Sequence, residues 1–173
     1  MTAVVSLGTN LGDRMARLRA GLEVIAQQVP VRAVSPVYET APVGVTDQPA
    51  YLNAVALLDC DDPEAVFTAT QAAEQSQGRS RSRRWGPRTL DVDVITVDAL
   101  ISDDPRMTLP HPRAYELGFV LAPWLAVDPA ANLPGRGSVR ALLTGLGPQQ
   151  IRRVAGPLPS VGMVKISATV SVS

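Results

Sequence analysis

Lysine, histidine and cysteine each occur once in the 173 residues, as Lys165, His111 and Cys60, and aromatic residues make up only 4%. A lone cysteine can form neither an intramolecular disulfide nor a cysteine-based zinc site, which fits a reducing compartment. Its own reading is a small buried apolar side chain, with a reactive thiol as the alternative. No apolar run approaches the ~18 residues of a membrane span, and Met1 to Leu7 lacks the basic flank and cleavage site of a secretory signal. A cytoplasmic protein with no membrane partner is therefore expected. Net charge is missing as well, with 16 basic residues against 16 acidic. That speaks against a bulk electrostatic grip on nucleic acid, so none is expected as a partner, and no obligate protein partner is evident. Neither a G-x-x-x-x-G-K-[ST] loop nor a G-x-G-x-x-G fingerprint is present, so any phosphate site has to be built from side chains.

What is present reads as one domain. Thr2 to Leu7 is a short apolar run ending in Gly8-Thr9-Asn10, turn chemistry that predicts a strand followed by a helix cap. From Leu11, the apolar residues Met15, Leu18, Leu22, Ile25 and Val29 follow in steps of three and four, one stripe of a helix that leaves Arg14, Arg17 and Arg19 aside. Pro30 ends it. Val31 to Thr40 is β-branched and interrupted by Pro36, as suits an edge strand or a bulged one. Ala41 to Ala50 is long for a hairpin and reads either as a functional loop or as a plain surface connection.

Tyr51 to Asp59 predicts a strand with Tyr51, Asn53, Val55 and Leu57 on one face and Leu52, Ala54, Ala56 and Leu58 on the other. Asp62-Pro63-Glu64 starts a helix that runs to Gln77, and Leu90 to Val97 is the next strand. This order is the split-βαβ pattern: an α+β, ferredoxin-like βαββαβ antiparallel sheet with helices packed on it. Additional C-terminal helical segments are expected at Arg113 to Ala126, Ser138 to Leu143 and Pro148 to Val154. The domain is expected to span 1–156. The β-branched tail, 157–173, has no clear partner and reads as loosely ordered.

Charge is balanced in sum but segregated along the chain. Arg79 to Arg88 holds five arginines and no acid, while Thr89 to Asp104 holds five aspartates and no base. Guanidinium forks suit bidentate phosphate binding, and Trp85, Gly86 and Pro87 favour a shaped loop over a merely solvated basic run. Asp91 and Asp93 alternate on a strand, so both carboxylates leave one sheet face with alpha carbons ~6.5–7 Å apart. Two carboxylates so placed repel unless a hard cation joins them, and Mg²⁺ bound by carboxylates and phosphate oxygens is the usual arrangement at nucleotide sites. His111, in a Pro-flanked loop, is equally readable as structural or functional.

The string GRSRSRRWGPRTLDVDV closely resembles the signature of the 6-hydroxymethyl-7,8-dihydropterin pyrophosphokinase family. SLGTNLGDR, SPVYETAPVGVTDQPAYLNAV and LPHPRAYELGFVLAP are similar to the family's other blocks, in the same order. The resemblance implies transfer of the β,γ-pyrophosphoryl group of ATP to the hydroxymethyl group of the dihydropterin, releasing AMP. It implies that Asp91 and Asp93 hold two Mg²⁺ ions, and that Arg79 and Arg88 act with them in catalysis. Gln71, Glu74, Arg79, Arg81, Arg84, Trp85, Arg88 and His111 would surround ATP. Tyr51 and Phe119 would sandwich the pterin, with Asn53, Asp93 and the segment Thr40, Pro42 and Val43 at its polar edge. The loops Ala41 to Ala50 and Gly78 to Thr89 would close over the substrates and exclude water.

The chain departs from the family at Leu117, where many members carry an arginine, and at Ala41, which replaces a common proline. Two other classes stay open from the residues alone. One is a single-stranded RNA module using the arginines and Trp85, which the neighbouring aspartates oppose. The other is a two-metal phosphoester hydrolase using Asp91, Asp93 and His111, which is short of acidic ligands.

Overall fold

The alternation along Tyr51–Asp59 decides how the layers stack. In the computed structural model, which describes residues 1–41, 47–78 and 89–159, β1 (Thr2–Thr9) lies between β5 (Asp91–Val97) and β4 (Tyr51–Asp59), antiparallel to both. On its far side β4 pairs with β2 (Val31–Val34) and β3 (Val37–Thr40), and β3 in turn with β8 (Ile151–Ala155), all antiparallel. The sheet order β5-β1-β4-β3-β8 extends the ferredoxin-like four-strand core by one strand at the C-terminal end.

Even-numbered residues of β4 point to the face covered by α1 (Arg14–Ala26) and α2 (Pro63–Ser76). There Leu52, Ala54, Ala56 and Leu58 pack with Leu18, Leu22, Ile25, Val66, Ala69 and Ala73. Odd-numbered Val55 and Leu57 face the opposite layer with Val4 and Ile95, under Val120, Leu121 and Trp124 of α3 (Gly118–Val127). The short pair β6 (Asn132–Leu133) and β7 (Gly137–Ser138), followed by α4 (Val139–Gly145), completes that layer through Leu133 and Val139. The sheet is thus covered on both faces, not on one.

Several boundaries differ from the sequence expectation, each for a local reason. The first strand runs on to Thr9, and α1 begins at Arg14 rather than Leu11, because the Asp13 carboxylate is the cap, accepting from Ala16 N at 3.1 Å. The Val31–Thr40 run divides at Ser35-Pro36; Ser35 N donates to Val55 O at 2.8 Å and Ser35 Oγ accepts from Val55 N at 2.9 Å, so a side chain stands in for the ladder. The helix expected over Arg113 to Ala126 breaks at Leu117 into a 3-10 turn, Ala114–Glu116, and α3. Pro148 to Val154 is not a helix: Ile151 to Ala155 takes up the free hydrogen-bonding edge of β3 instead, with Thr40 opposite Ile151 and Val37 opposite Ala155. Packing continues past Gly156, since Leu158 is buried in the core on the α1–α2 side. Residues 160–173 lie outside the described residues.

Cys60 is buried, and that burial pushes its thiol pKa up, so it fits the small apolar role. No helix among the described residues is long and apolar enough to cross a membrane. Gly21 is a helix-interior glycine with a packing reason: a Cβ there would lie 2.5 Å from Leu90 Cδ2, the side chain just before Asp91. Gly21→Val is expected to lower the unfolding free energy by ~1–3 kcal/mol through overpacking, measured by urea denaturation; unchanged stability would contradict this close approach.

Candidate active site

One rung of the sheet carries two of the candidate residues, Asp91 and Asn53. Asp91 lies opposite Gly8, Gly8 opposite Asn53, and Asn53 opposite Tyr38. The next rung sets Asp93 opposite Ser6 and Ser6 opposite Val55. Val92 and Val94 point into the α1–α2 core while Ile95 and Val55 join the α3 layer. Asp91 and Asp93 therefore leave the sheet on the same face as Asn53 and Tyr51, as their spacing predicts. Asp91 is half-buried and Asp93 exposed.

Gly8 makes this rung possible. Asn53 Oδ1 lies 2.8 Å from where a Gly8 Cβ would sit, so the asparagine side chain occupies the space that any other residue would fill. Asn53 is 3% exposed, and its Nδ2 donates to Thr40 Oγ1 at 2.9 Å. A buried amide held in this way presents a fixed donor and acceptor edge. Tyr51, opposite Thr40 in the ladder, is half-buried at the start of β4.

Phe119 reaches this end of the molecule through β8. Ile151 pairs with Thr40, and Ile151 Cδ1 lies 3.1 Å and Gln149 Oε1 2.5 Å from where a Cβ of Gly118 would be. The absence of a side chain at Gly118 thus lets Gln149 and Ile151 pack against the first turn of α3, where Phe119 is half-buried. Leu117 packs against the α3-side core. The position where the family resemblance leads one to look for an arginine is apolar and used for packing.

The strand bearing the aspartates is an edge strand, and two groups tie its outer side. Glu74 of α2, 4% exposed, accepts from Val92 N through Oε1 at 3.0 Å, between the two aspartates. Glu74 is therefore not a solvated helix residue; Gln71, one turn before it, is half-buried. His111 N donates to Ile95 O at 2.8 Å, which brings the only histidine alongside β5. His111 Nδ1 accepts from Arg113 N at 3.2 Å, the tautomer in which Nε2 carries the proton. Burial, and then the Arg113 charge, lower its pKa below the ordinary value.

Both chain segments flanking this face are anchored by the start of the chain. Thr9 Oγ1 donates to Thr89 O at 2.6 Å, and Arg17 Nη1 reaches Gln77 O at 3.5 Å. Asn10, 1% exposed, donates from Nδ2 to Gln48 Oε1 at 3.1 Å. By local pattern alone Gly8, Thr9 and Asn10 read as turn and cap. The SLGTNLGDR string was the available signal, but a buried asparagine looks like a turn residue until its partners are known. Arg79, Arg81, Arg84, Trp85, Arg88, Pro42 and Val43 lie outside the described residues.

Two cavities, each of about 420 Å³, open at the sheet ends. One is lined by Thr40, Ala41, Ala50 and Ile151 and adjoins the site. The other, by Met1, Arg32, Cys60 and Asp98, lies at the opposite end of β1, ~20 Å away by strand rise. No cluster of three or more His, Cys, Asp or Glu suited to a metal exists among the described residues. The Asp91 and Asp93 pair still fits Mg²⁺, a hard cation that takes one or two carboxylates and completes its shell with water and phosphate oxygens.

A model of the family 7,8-dihydro-6-hydroxymethylpterin-pyrophosphokinase matches residues 4–129. A Mycobacterium tuberculosis protein named 2-amino-4-hydroxy-6-hydroxymethyldihydropteridine pyrophosphokinase is 44% identical over 153 residues, 81% of this chain and 80% of that one. A protein of the same name from Pseudomonas aeruginosa is 37% identical over 155 residues, 88% of this chain and 96% of its own. Among solved structures, wild-type Plasmodium falciparum HPPK-DHPS with pteroate superposes with a TM-score of 0.62 at 13% identity. That match covers 83% of this chain and 42% of that longer one, a likeness of fold.

Gly8→Ala is expected to displace the Asn53 amide while leaving the fold intact; loss of the Asn53 side-chain amide resonance from its wild-type position in an NMR spectrum checks it, and an unmoved resonance would contradict it. Because His111 has a native pKa below its ordinary 6.5, the unfolded chain binds the extra proton first. Stability should therefore fall as pH drops below about 6.5 and level off below the native value. His111→Gln should remove that part of the pH dependence in urea titrations, and an unchanged profile would contradict the assignment.

Proposed function

Since the chain belongs to the 7,8-dihydro-6-hydroxymethylpterin-pyrophosphokinase family, we propose how its own residues carry out the reaction that membership assigns. The reaction transfers the β,γ-pyrophosphoryl group of ATP to the hydroxymethyl group of 6-hydroxymethyl-7,8-dihydropterin in folate biosynthesis, giving AMP and the dihydropterin diphosphate. The hydroxyl oxygen attacks the β-phosphorus and the bond to the α-phosphate oxygen breaks. The observation that carries the assignment of roles is the single rung in which Asp91, Gly8 and Asn53 follow one another across the sheet. It carries one carboxylate of the Asp91/Asp93 pair and the buried Asn53 amide, which supports reading the first as the phosphate side and the second as the pterin side.

On the pterin side, Asn53 hydrogen-bonds the ring edge, held in orientation by Thr40. Tyr51 and Phe119 cover the two ring faces, since an aromatic sandwich binds a flat heterocycle with little loss of side-chain freedom. Main-chain groups from Thr40 to Val43, with Pro42 between them, line the remaining edge. Asp93, two residues along the strand from Asp91, also lies within reach of the substrate.

On the nucleotide side, Asp91 and Asp93 would hold Mg²⁺, two ions in this reading, which when bound would supply neutralising positive charge for the phosphates of ATP. Glu74 keeps β5 in register through Val92, and Gln71 lies near the nucleotide. His111 donates from Nε2 to a phosphate oxygen, its tautomer set by the Arg113 amide. Arg79 and Arg88 stabilise charge on the transferred group, and Arg81, Arg84 and Trp85 surround the nucleotide. One pyrophosphokinase domain accounts for residues 1–156.

Incubation with MgATP, with and without the dihydropterin, followed by separation of AMP, ADP and phosphate, tests the reading. Pterin-dependent AMP without free phosphate is expected; ADP or pterin-independent hydrolysis would overturn it. Asp91→Asn and Asp93→Asn should each lower kcat by about a hundredfold or more, with the fold kept, and near wild-type turnover of either would contradict the metal assignment. Tyr51→Ala should raise the KM for pterin well above any change in the KM for ATP, and an equal rise in both would remove Tyr51 from the ring site.

A further inference from the structure

The 41–50 connection leaves the sheet just after Thr40 and re-enters it at Tyr51, and a single guanidinium spans the two stems. Arg14, the first residue of α1, donates from Nη1 to Glu39 Oε2 at 3.0 Å and to the carbonyl of Ala50 at 2.7 Å. Glu39 Oε1 accepts from Arg152 Nη2 of β8 at 2.9 Å. The Arg14 and Glu39 side chains are 30% and 25% exposed, against 76% for Arg152. The inner pair is thus shielded enough for a charge-assisted hydrogen bond to count, while the outer contact is a surface one of small effect.

Strand alternation separates this cluster from the ligand face. Glu39 lies opposite Leu52, which faces the α1–α2 core, whereas Thr40 lies opposite Tyr51 and bonds Asn53. Arg14 and Glu39 thus sit behind the sheet, directly in sequence before Thr40 and, through Ala50, directly before Tyr51. Asn10 extends the pin by one residue, with Nδ2 3.4 Å from Pro49 O.

We propose that Arg14 is a positioning residue for the pterin subsite: by tying Glu39 to Ala50 it sets the separation of the strand ends that present Thr40 and Tyr51. The proposal rests on the assignment of Thr40, Tyr51 and Asn53 to the pterin. Arg14 acts through the side-chain carboxylate of Glu39 and the backbone carbonyl of Ala50.

The test is the steady-state kinetics of Arg14→Gln, Glu39→Gln and Tyr51→Ala in the full chain, with KM for the dihydropterin and for ATP measured separately and Tm alongside. Arg14→Gln should raise the pterin KM about tenfold, the effect of losing one charge-assisted hydrogen bond, with the ATP KM and kcat within about twofold. Arg14→Lys, which keeps a cationic donor within reach of both acceptors, should recover most of the loss. Glu39→Gln gives the same readout should Arg14→Gln fail to fold. An unchanged pterin KM, or a parallel rise in both KM values, overturns the proposal. If Tyr51→Ala raises the pterin KM while Arg14→Gln does not, only the positioning role fails; if neither does, the subsite assignment fails with it.

Discussion

Burying a side-chain amide costs free energy unless it finds a partner, and the rungs around Asn53 supply one. Asn53 is 3% exposed and points its Oδ1 into the gap left by Gly8 while its Nδ2 bonds Thr40. Any Cβ at position 8 would take that space, and any shift of β3 would remove the acceptor. The amide therefore requires a bare glycine on the central strand and a correctly registered third strand. Gly8 lies in the rung that also carries Asp91, and Thr40 stands opposite Tyr51, two residues along β4 from Asn53. The buried amide and the strand register are thus the same constraint, which lets a polar group sit in a fixed orientation within the sheet.

Around that rung, tertiary contacts hold what the ladder alone leaves loose. Among the described residues β5 has one hydrogen-bonding edge without a strand, and Glu74 and His111 each bind it from outside. β8 fills the opposite end of the sheet, and through Ile151 and Gln149 it brings the start of α3 to the site. The residues from Thr9 to Arg17 reach the stems of both loops: Thr9 and Arg17 at 89 and 77, Asn10 and Arg14 at 48–50. One short segment thus anchors the described ends of both connections.

Most of the ferredoxin-like core was legible in the sequence because its signals are local. The alternation of Tyr51 to Asp59, the Asp62-Pro63 helix start and the Asp91/Asp93 spacing each depend on a few adjacent residues, and each is found where the pattern placed it. What escaped depends on distant partners. Ile151 to Ala155 carries no strand signature strong enough to outweigh a helical reading, and becomes a strand because β3 has an edge to offer. Glu74 reads as a surface polar residue on a helix until the backbone of Val92 is brought to it. Gly8 and Asn10 look like turn chemistry in one dimension. The role of Gly8 is defined by a residue 45 positions later, Asn53.

Where the pterin binds decides the roles of Asn53, Tyr51 and Thr40. The most direct measurement is an NMR titration of isotopically labelled protein with 6-hydroxymethyl-7,8-dihydropterin, in the presence of Mg²⁺ and a non-hydrolysable ATP analogue. Saturable shifts centred on Gly8, Thr40, Tyr51 and the Asn53 side-chain amide are predicted. Shifts centred instead on the cavity at Met1, Arg32 and Asp98, with the Asn53 amide unmoved, would contradict it.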